Sequence, residues 1–324
     1  MSTFGTEPVS NLTTRVLTAV VAIPIILLIC IAGGMYFFGF IALASALALT
    51  EFYGLAKAKG SKPLVGLGVF CGFLVNLSFY HAQLQTMLID FLRTQSLIAA
   101  PFPSQAQFLL ITLIASVVLI SLVELFRNNG SAIMNIATTL MGVLYISLFF
   151  GTFIGIREHF RPLDFPMLRY FSSESSFTNL ATIDQVYRWG GYTVVSIFAI
   201  IWICDSAAYH VGMMMGRHKL FPRVSPNKSW EGAVAGFLAA IGSAIAAKYV
   251  ILDYLPLGSA IVIGVIVGTF GQLGDLIESL IKRDAGVKDS STLIPGHGGV
   301  FDCFDSLLLV SPLVYLYLDY ILLS

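Results

Sequence analysis

Residues 15–31 read RVLTAVVAIPIILLICI, an apolar run that begins with one arginine and contains no other charge. A second long apolar run follows directly after Gly33 and Gly34, and no cleavage site of the A-x-A type separates the two. The first run is therefore predicted to be a retained membrane span rather than a removed signal peptide.

The composition of the whole chain also indicates a membrane protein. It has 324 residues, of which 57% are apolar and 11% are charged, against about 25% charged residues in ordinary globular proteins. Lysines plus arginines equal aspartates plus glutamates, so net charge identifies no partner, and no nucleic-acid partner is expected. The four cysteines show no CxxC spacing, which argues against a disulfide framework and a zinc site.

The apolar runs predict an all-α, polytopic integral membrane protein. At about 20 residues per crossing, about nine runs qualify, or eight if the short, glycine-rich run 64–80 does not cross. They lie at roughly 16–32, 35–56, 64–80, 106–126, 132–156, 191–213, 232–252, 257–278 and 305–323.

Charge distribution predicts the organisation of the chain and its orientation. We expect one membrane-embedded unit with an N-terminal region, 1–190, that carries a polar insertion at 157–189, and a catalytic region, 191–324. Of the 18 lysines and arginines, twelve fall on the side of the N-terminus when the spans alternate. The positive-inside rule therefore places the N-terminus and the loops 214–231 and 282–304 in the cytoplasm, and the C-terminus outside.

Ionisable residues inside the predicted spans mark candidate functional positions, because each costs about 2.5–3.5 kcal/mol at the centre of a span. Asp205 lies midway through the sixth span, and Asp275 and Glu278 stand three apart, on one helical face, at the end of the eighth. Glu51, close to Lys57 at the end of the second span, is expected to be an interfacial residue.

The loop GRHKLFPRVSPNKSWEG, residues 216–232, carries four cations that suit a polyanion: Arg217, Lys219, Arg223 and Lys228. Ser225, Pro226 and Asn227 predict a turn before a helix. Ser229 as N-cap and Glu231 in the first turn explain that helix without any ligand. The loop alone therefore fits either a phosphate-binding segment or an ordinary positive-inside loop.

A second polar stretch, SLIKRDAGVKDSSTLIPGHGGVFDCFDS, occupies residues 279–306. Its cations follow Asp275 and Glu278 closely, its glycines allow backbone N–H groups to approach a phosphate, and Asp302 and Asp305 share one helical face. Clustered carboxylates are typical of Mg²⁺ sites, and cations with such a site indicate phosphoryl or nucleotidyl transfer. Pairing of Asp284 with Lys288 is the structural alternative for part of the loop.

The pattern S-x-x-K-R-x(4)-K-D-x(5)-P-x-H-G-G-x-x-D-x-x-D, from Ser279 to Asp305, resembles the signature of the phosphatidate cytidylyltransferases. D-S-A-A-Y-x-x-G from Asp205 and S-P-N-K-S-x-E-G from Ser225 resemble the same family, in the same order. The resemblance implies the reaction of CTP with phosphatidate to give CDP-diacylglycerol and pyrophosphate, with Mg²⁺, in phospholipid biosynthesis. The compact chain without a soluble extension is typical of a bacterial protein, so a bacterial inner membrane is expected, and a homodimer is left open.

The resemblance further implies roles for individual residues. Asp275 and Asp302 would hold the metal, with Asp305 and Glu278 in support. The expected catalytic residues are Lys228, Lys282, Arg283, Lys288, Asp289 and His297, of which the cations neutralise phosphates and His297 braces the glycine loop or assists the leaving pyrophosphate. The expected substrate-binding residues are Asp205, Arg217, Ser225, Asn227, Gly298 and Gly299.

One position departs from the family pattern, and two other functions compete. Cys303 stands where the family usually has arginine, and a thiol has neither a fixed charge nor a bidentate fork. A CTP-dependent lipid kinase of the polyprenol or phytol type would release CDP instead of pyrophosphate. A secondary transporter also buries carboxylates, but the polar residues here cluster in two loops on one predicted side.

Overall fold

The computed structural model describes residues 9–95, 102–161, 165, 166, 170 and 180–323, with the side chains described from residue 16 onwards. Of the polar insertion predicted at 157–189, residues 162–164, 167–169 and 171–179 fall outside these ranges. Its described ends are helical: Arg157 belongs to a helix that runs to Glu158, and a new helix begins at Leu180. The insertion is therefore shorter than predicted, because helices occupy both of its ends.

The elements described in the N-terminal half are helices. These are α1 (Val9–Ala32), α2 (Gly34–Ala58), α3 (Val65–Phe79), α4 (His81–Thr94), α5 (Gln105–Leu125), α6 (Ala132–Gly142) and α7 (Leu148–Glu158), with a π-helical turn, Val143–Ser147, joining the last two.

The C-terminal half begins with the 36-residue helix α8 (Leu180–Met215). A short antiparallel hairpin of β1 (Lys219–Phe221) and β2 (Ser225–Ser229) follows, and these are the only strands within the described residues. The remaining elements are α9 (Trp230–Val250), α10 (Leu257–Ile266), α11 (Gln272–Asp284) and α12 (Val300–Tyr317), with π-helical turns at Val267–Gly271 and Leu318–Leu322.

The prediction of an all-α polytopic membrane protein is confirmed. Within the described residues, 7 helices are long and apolar enough to cross a membrane, and α3 with α4 brings the number to 8 if that pair is one span. The pair bends by 83° between Phe79 and His81. The count of 8 equals the lower of the two predicted numbers, and the part of α1 whose side chains are described, Val16 to Ala32, is a further, shorter apolar helix.

Arg157, at the end of α7, shows why a charge is tolerated in this core. Its side chain is 1% exposed and donates to the carbonyl oxygens of Cys30 at 3.3 Å and Ile31 at 3.4 Å. These carbonyls lie at the C-terminal end of α1, where helical carbonyls lack intrahelical partners and the dipole favours a cation. Arg157 therefore ties α7 to the end of α1.

Helix α12 packs against α2, α7 and α11. Its buried face carries Phe301, Phe304, Leu308 and Val314. Gly274 of α11 faces it: a Cβ at Gly274 would lie 2.5 Å from the carbonyl oxygen of Asp305. The absence of a side chain at Gly274 therefore lets α11 and α12 approach closely, and this approach positions the site described next.

Candidate functional site

Three carboxylates from α11 and α12 meet in one place. Asp275, Glu278 and Asp305, here called the carboxylate trio, each offer an oxygen, and these oxygens lie within 4.8 Å of one another. The Glu278 side chain is only 1% exposed. Three hard oxygen ligands at this separation fit Mg²⁺, which takes carboxylates and completes its shell with phosphates and water. The structure thus brings together three of the four predicted metal ligands.

The fourth predicted ligand, Asp302, lies outside the trio. Its Oδ1 accepts from Lys282 Nζ at 2.7 Å, and its Oδ2 accepts from the backbone N–H groups of Gly299 at 2.7 Å and Ser290 at 2.9 Å. Both oxygens therefore have partners within the protein. A role of Asp302 as a metal ligand stays a prediction, whereas its part in holding the loop before α12 is visible.

Lys282 joins the trio to Asp302. Its Nζ lies 2.8 Å from Glu278 Oε1 and 2.7 Å from Asp302 Oδ1, and the side chain is 12% exposed. Glu278 and Lys282 stand four residues apart on α11, a spacing that favours ion pairs within a helix. Lys282 therefore lies between two buried carboxylates and pairs with both. The sequence predicts only phosphate neutralisation for this lysine.

Lys228 reaches the trio from the hairpin. Its Nζ lies 2.5 Å from Asp275 Oδ2, and both side chains are about one-third exposed. The hairpin is anchored by Ser229, whose hydroxyl accepts from the N–H of Gly232 at 3.2 Å and caps α9, as predicted. Lys228 is thus a cation held beside the trio and still open to the surface.

Asp205 of α8 belongs to the same electrostatic environment. Its carboxyl group interacts electrostatically with Asp275, Asp305 and Lys228. The two sequence segments that are separated by about fifty residues, around Asp205 to Lys228 and around Asp275 to Asp305, therefore meet, as the predicted topology required.

The glycines before α12 enclose carboxylates of the protein itself. Gly298 has a φ of 94°, and a Cβ there would lie 2.6 Å from Asp302 Oδ2. A Cβ at Gly299 would collide with the Ser290 hydroxyl and with Glu51 Oε2. The N–H of Gly298 donates to the carbonyl of Ile294 at 3.1 Å. Phosphate binding by these glycines stays a prediction, because their N–H groups donate within the protein.

Glu51 corrects a prediction. It is 9% exposed, not interfacial, and it accepts from Val300 N at 3.0 Å, Phe301 N at 2.7 Å and the Ser291 hydroxyl at 2.7 Å. The carboxylate reaches the start of α12 from a helix that lies about 250 residues earlier in the chain. The signal for a buried role is a carboxylate more than one turn inside an apolar span. The nearby Lys57 favours the interfacial interpretation instead.

The remaining predicted residues of the loop 285–299, here called the closing loop, lie at the surface. Lys288, Asp289 and His297 are exposed, and Arg283 donates to the carbonyl of Val287 at 3.0 Å. Asp284 pairs with Lys59 at 3.2 Å rather than with Lys288 as expected. The reason is that α11 ends at Asp284, and a turn at Gly286 removes the helical spacing.

The hairpin places the other predicted substrate-binding residues around Lys228. Arg217 and Asn227 are exposed, and Ser225 begins β2 opposite Phe221. Glu231 accepts from the backbone N–H of Arg217 at 3.2 Å and pairs with the His218 ring at 2.6 Å. The hairpin is therefore fixed to the start of α9, and Lys228 is its cation that contacts the trio.

Comparisons with known proteins agree with one another. Residues 13–321 match the sequence model of the cytidylyltransferase family. The chain is 30% identical over 300 residues to a protein named phosphatidate cytidylyltransferase from Staphylococcus aureus, covering 93% of this chain and 96% of the relative. A protein of the same name from Synechocystis is 31% identical over 304 residues, with 94% and 95% coverage.

Proposed function

Because the chain belongs to the cytidylyltransferase family, we propose that it transfers the cytidylyl group of CTP to phosphatidate, giving CDP-diacylglycerol and pyrophosphate. The observation that carries the proposal is the trio, whose oxygens lie within 4.8 Å of one another beside Lys228. An anionic cluster with adjoining cations suits a reaction in which two phosphates must approach each other.

In this reaction a phosphate oxygen of phosphatidate attacks the α-phosphorus of CTP. The bond from that phosphorus to the oxygen bridging the α- and β-phosphates breaks, and pyrophosphate leaves with the electron pair. A phosphate monoester has a second pKa of about 6, so the nucleophile needs no strong base. The site contributes alignment and charge neutralisation, which are the main terms in phosphoryl-type transfers.

The residues that would hold Mg²⁺ are Asp275, Glu278 and Asp305. Bound there, the ion would neutralise and polarise the triphosphate. Lys228 contacts Asp275 and is open to the surface, so it is placed to bind a phosphate oxygen of either substrate. Lys282 orients Glu278 and Asp302, since it pairs with both.

We place the lipid at the boundary between the trio and the membrane. The positive-inside distribution supports a trio at the cytoplasmic face, where CTP arrives from water. The relatives are bacterial, and we propose the inner membrane as the location. Mg²⁺ as the resident ion and a homodimeric assembly are likewise proposals.

An apolar cavity of about 310 Å³ suits an acyl chain of the lipid. It lies between α9 and α11 under the hairpin, and its walls include Phe221, Trp230, Ala233, Phe237 and Leu273. Leu273 and Leu276 flank Asp275 on α11, so the cavity begins within one helical turn of the trio. A lipid phosphate at the trio would leave its chains directed into this cavity or the surrounding bilayer.

Substitution of Ala233 by phenylalanine should therefore alter chain-length preference. Each buried methylene contributes about 0.8 kcal/mol, so exclusion of two methylenes should raise KM for a dioleoyl substrate roughly tenfold. KM for a dioctanoyl substrate and for CTP should stay unchanged. Steady-state kinetics in mixed micelles measure all three, with Leu238→Phe on the exposed face of the same helix as control. Equal changes for both lipids would contradict this placement.

Cys303→Arg tests the departure from the family pattern. Cys303 is exposed, so a longer side chain fits without repacking the core. The new guanidinium would lie beside Asp302 and Asp305, and we expect kcat to stay the same or rise. A fall of more than about fivefold, roughly 1 kcal/mol in the barrier, would show that the cysteine itself is needed.

The proposed function is tested by supplying purified enzyme with CTP, Mg²⁺ and phosphatidate and measuring released pyrophosphate. We expect release that depends on phosphatidate and is stoichiometric with CDP-diacylglycerol. Release of CDP with a diacylglycerol or polyprenol acceptor would support a lipid kinase instead. Absence of both products would overturn the proposal.

A further inference from the structure

We infer that Glu51 is a positioning residue for the reaction, because its carboxylate holds the first turn of α12 and the closing loop in the arrangement that the trio requires. The inference rests on the proposed function for its kinetic consequences. Its structural part stands on contacts between α2 and α12 and does not depend on which reaction is catalysed.

The first turn of α12 needs partners for its N–H groups, since helical N-termini leave four of them without intrahelical acceptors. Val300 and Phe301 donate to Glu51 at 3.0 and 2.7 Å, and Gly299 donates to Asp302 at 2.7 Å. Two carboxylates therefore cap one helix, and the more distant in sequence comes from α2. Negative charge at this end is also favoured by the helix dipole.

A carboxylate is required here because donors surround both of its oxygens. Oε1 accepts from Val300 N and from the Ser291 hydroxyl, while Oε2 accepts from Phe301 N and lies 3.0 Å from the Ser290 hydroxyl. A glutamine would direct its NH₂ group, which cannot accept, at two of these donors. A buried donor without an acceptor costs about 1–3 kcal/mol, so the loop and the helix end should separate from α2.

Glu51 is linked to the residues of the site through Ser290. The Ser290 hydroxyl lies between Glu51 Oε2 and Asp302 Oδ2, at 3.0 and 2.9 Å. Asp302 in turn holds Lys282, which pairs with Glu278 of the trio. A displacement of α12 would also move Asp305, one turn further along the same helix. Glu51 therefore acts on the trio through two routes without contacting it.

Glu51→Gln should lower kcat on the order of 10²-fold, the loss that a displacement of about 1 Å produces in an active site. KM for CTP should change less than threefold. Glu124→Gln is the matched control, because Glu124 is 3% exposed and accepts from the Asn135 amide at 2.6 Å, away from the trio. It should lower thermal stability and leave the kcat of folded enzyme within twofold of wild type.

A double-mutant cycle distinguishes positioning from general destabilisation. Ser291→Ala should lower kcat in the wild-type background and have little further effect after Glu51→Gln, because both changes remove the same contact. Additive losses in the two variants would contradict the inference. The inference would also be contradicted if the Glu51→Gln enzyme elutes as a folded protein in size-exclusion chromatography and its kcat stays within threefold of wild type.

Amide hydrogen exchange separates this inference from the proposed function. In the full-length enzyme, Glu51→Gln should accelerate exchange at Val300 and Phe301, whereas Glu124→Gln should not. Unchanged exchange at these two amides would overturn the inference whatever the activity. A wild-type enzyme that releases no pyrophosphate would instead overturn the proposed function and leave the exchange result to decide the role of Glu51.

Discussion

Asp305→Asn is expected to lower kcat on the order of 10³-fold, because a metal ion contributes several kcal/mol of transition-state stabilisation and the trio would lose one of its three carboxylates. The amide keeps the size of the carboxylate, so the packing of α11 against α12 at Gly274 should survive. Pyrophosphate release measures the kinetic effect. Binding of Mn²⁺, followed by electron paramagnetic resonance, should weaken at least tenfold and provides a readout that does not depend on turnover.

Asp319→Asn is the control for this substitution. Asp319 follows α12 at the opposite end of the same span and lies 3.8 Å from the His159 ring, so its loss should leave both kcat and Mn²⁺ affinity unchanged. Wild-type Mn²⁺ affinity in Asp305→Asn would contradict the metal assignment. Asp302→Asn then tests whether the fourth predicted ligand binds the ion. Unchanged Mn²⁺ affinity would mean that only the trio binds it, and a tenfold loss of Mn²⁺ affinity would mean that Asp302 is a ligand as well.

Lys228→Met should reduce kcat/KM for CTP by about 10²–10³-fold, the range found when one donor to a developing negative charge is removed. Lys228 is the cation that contacts the trio from the hairpin. Lys228 and its partner Asp275 are each about one-third exposed, so water can solvate Asp275 once the ion pair is lost. Thermal stability should therefore change little. Steady-state kinetics with varied CTP measure the loss.

Lys219→Met provides the matched control, because Lys219 lies on the other strand of the same hairpin and is exposed. The two variants lose the same charge from the same element, so a general effect of positive charge would affect both equally. We expect Lys219→Met to retain kcat/KM within threefold of wild type. Equal losses in both variants would show that the hairpin attracts CTP only through its net charge.

The fold was largely predictable because the requirement to satisfy backbone groups in lipid leaves helices as the solution for long apolar runs. Local signals also worked where the structure depends on neighbouring residues. Ser229 caps α9 as predicted, and Asp275 and Glu278 share a face because helical residues three apart must do so. The i, i+4 pair of Glu278 and Lys282 was equally available from spacing and was missed.

What could not be predicted depends on the register between helices. Asp302 and Asp305 both begin α12 and have the same spacing as Asp275 and Glu278, so the sequence alone does not reveal which of them joins the trio. The close approach of Gly274 to Asp305 decides it. Glu51 is the clearer case, because its partners lie about 250 residues away and no local pattern specifies a contact between α2 and α12.

Labelled CTP reveals which phosphorus of the nucleotide is transferred to the lipid. Purified enzyme is incubated with phosphatidate, Mg²⁺ and CTP labelled with ³²P at either the α- or the γ-position, and the extracted lipid is counted. We expect lipid that carries the α-label, with the γ-label recovered as pyrophosphate. Lipid that carries the γ-label instead, with CDP in the aqueous phase, would contradict the proposed function.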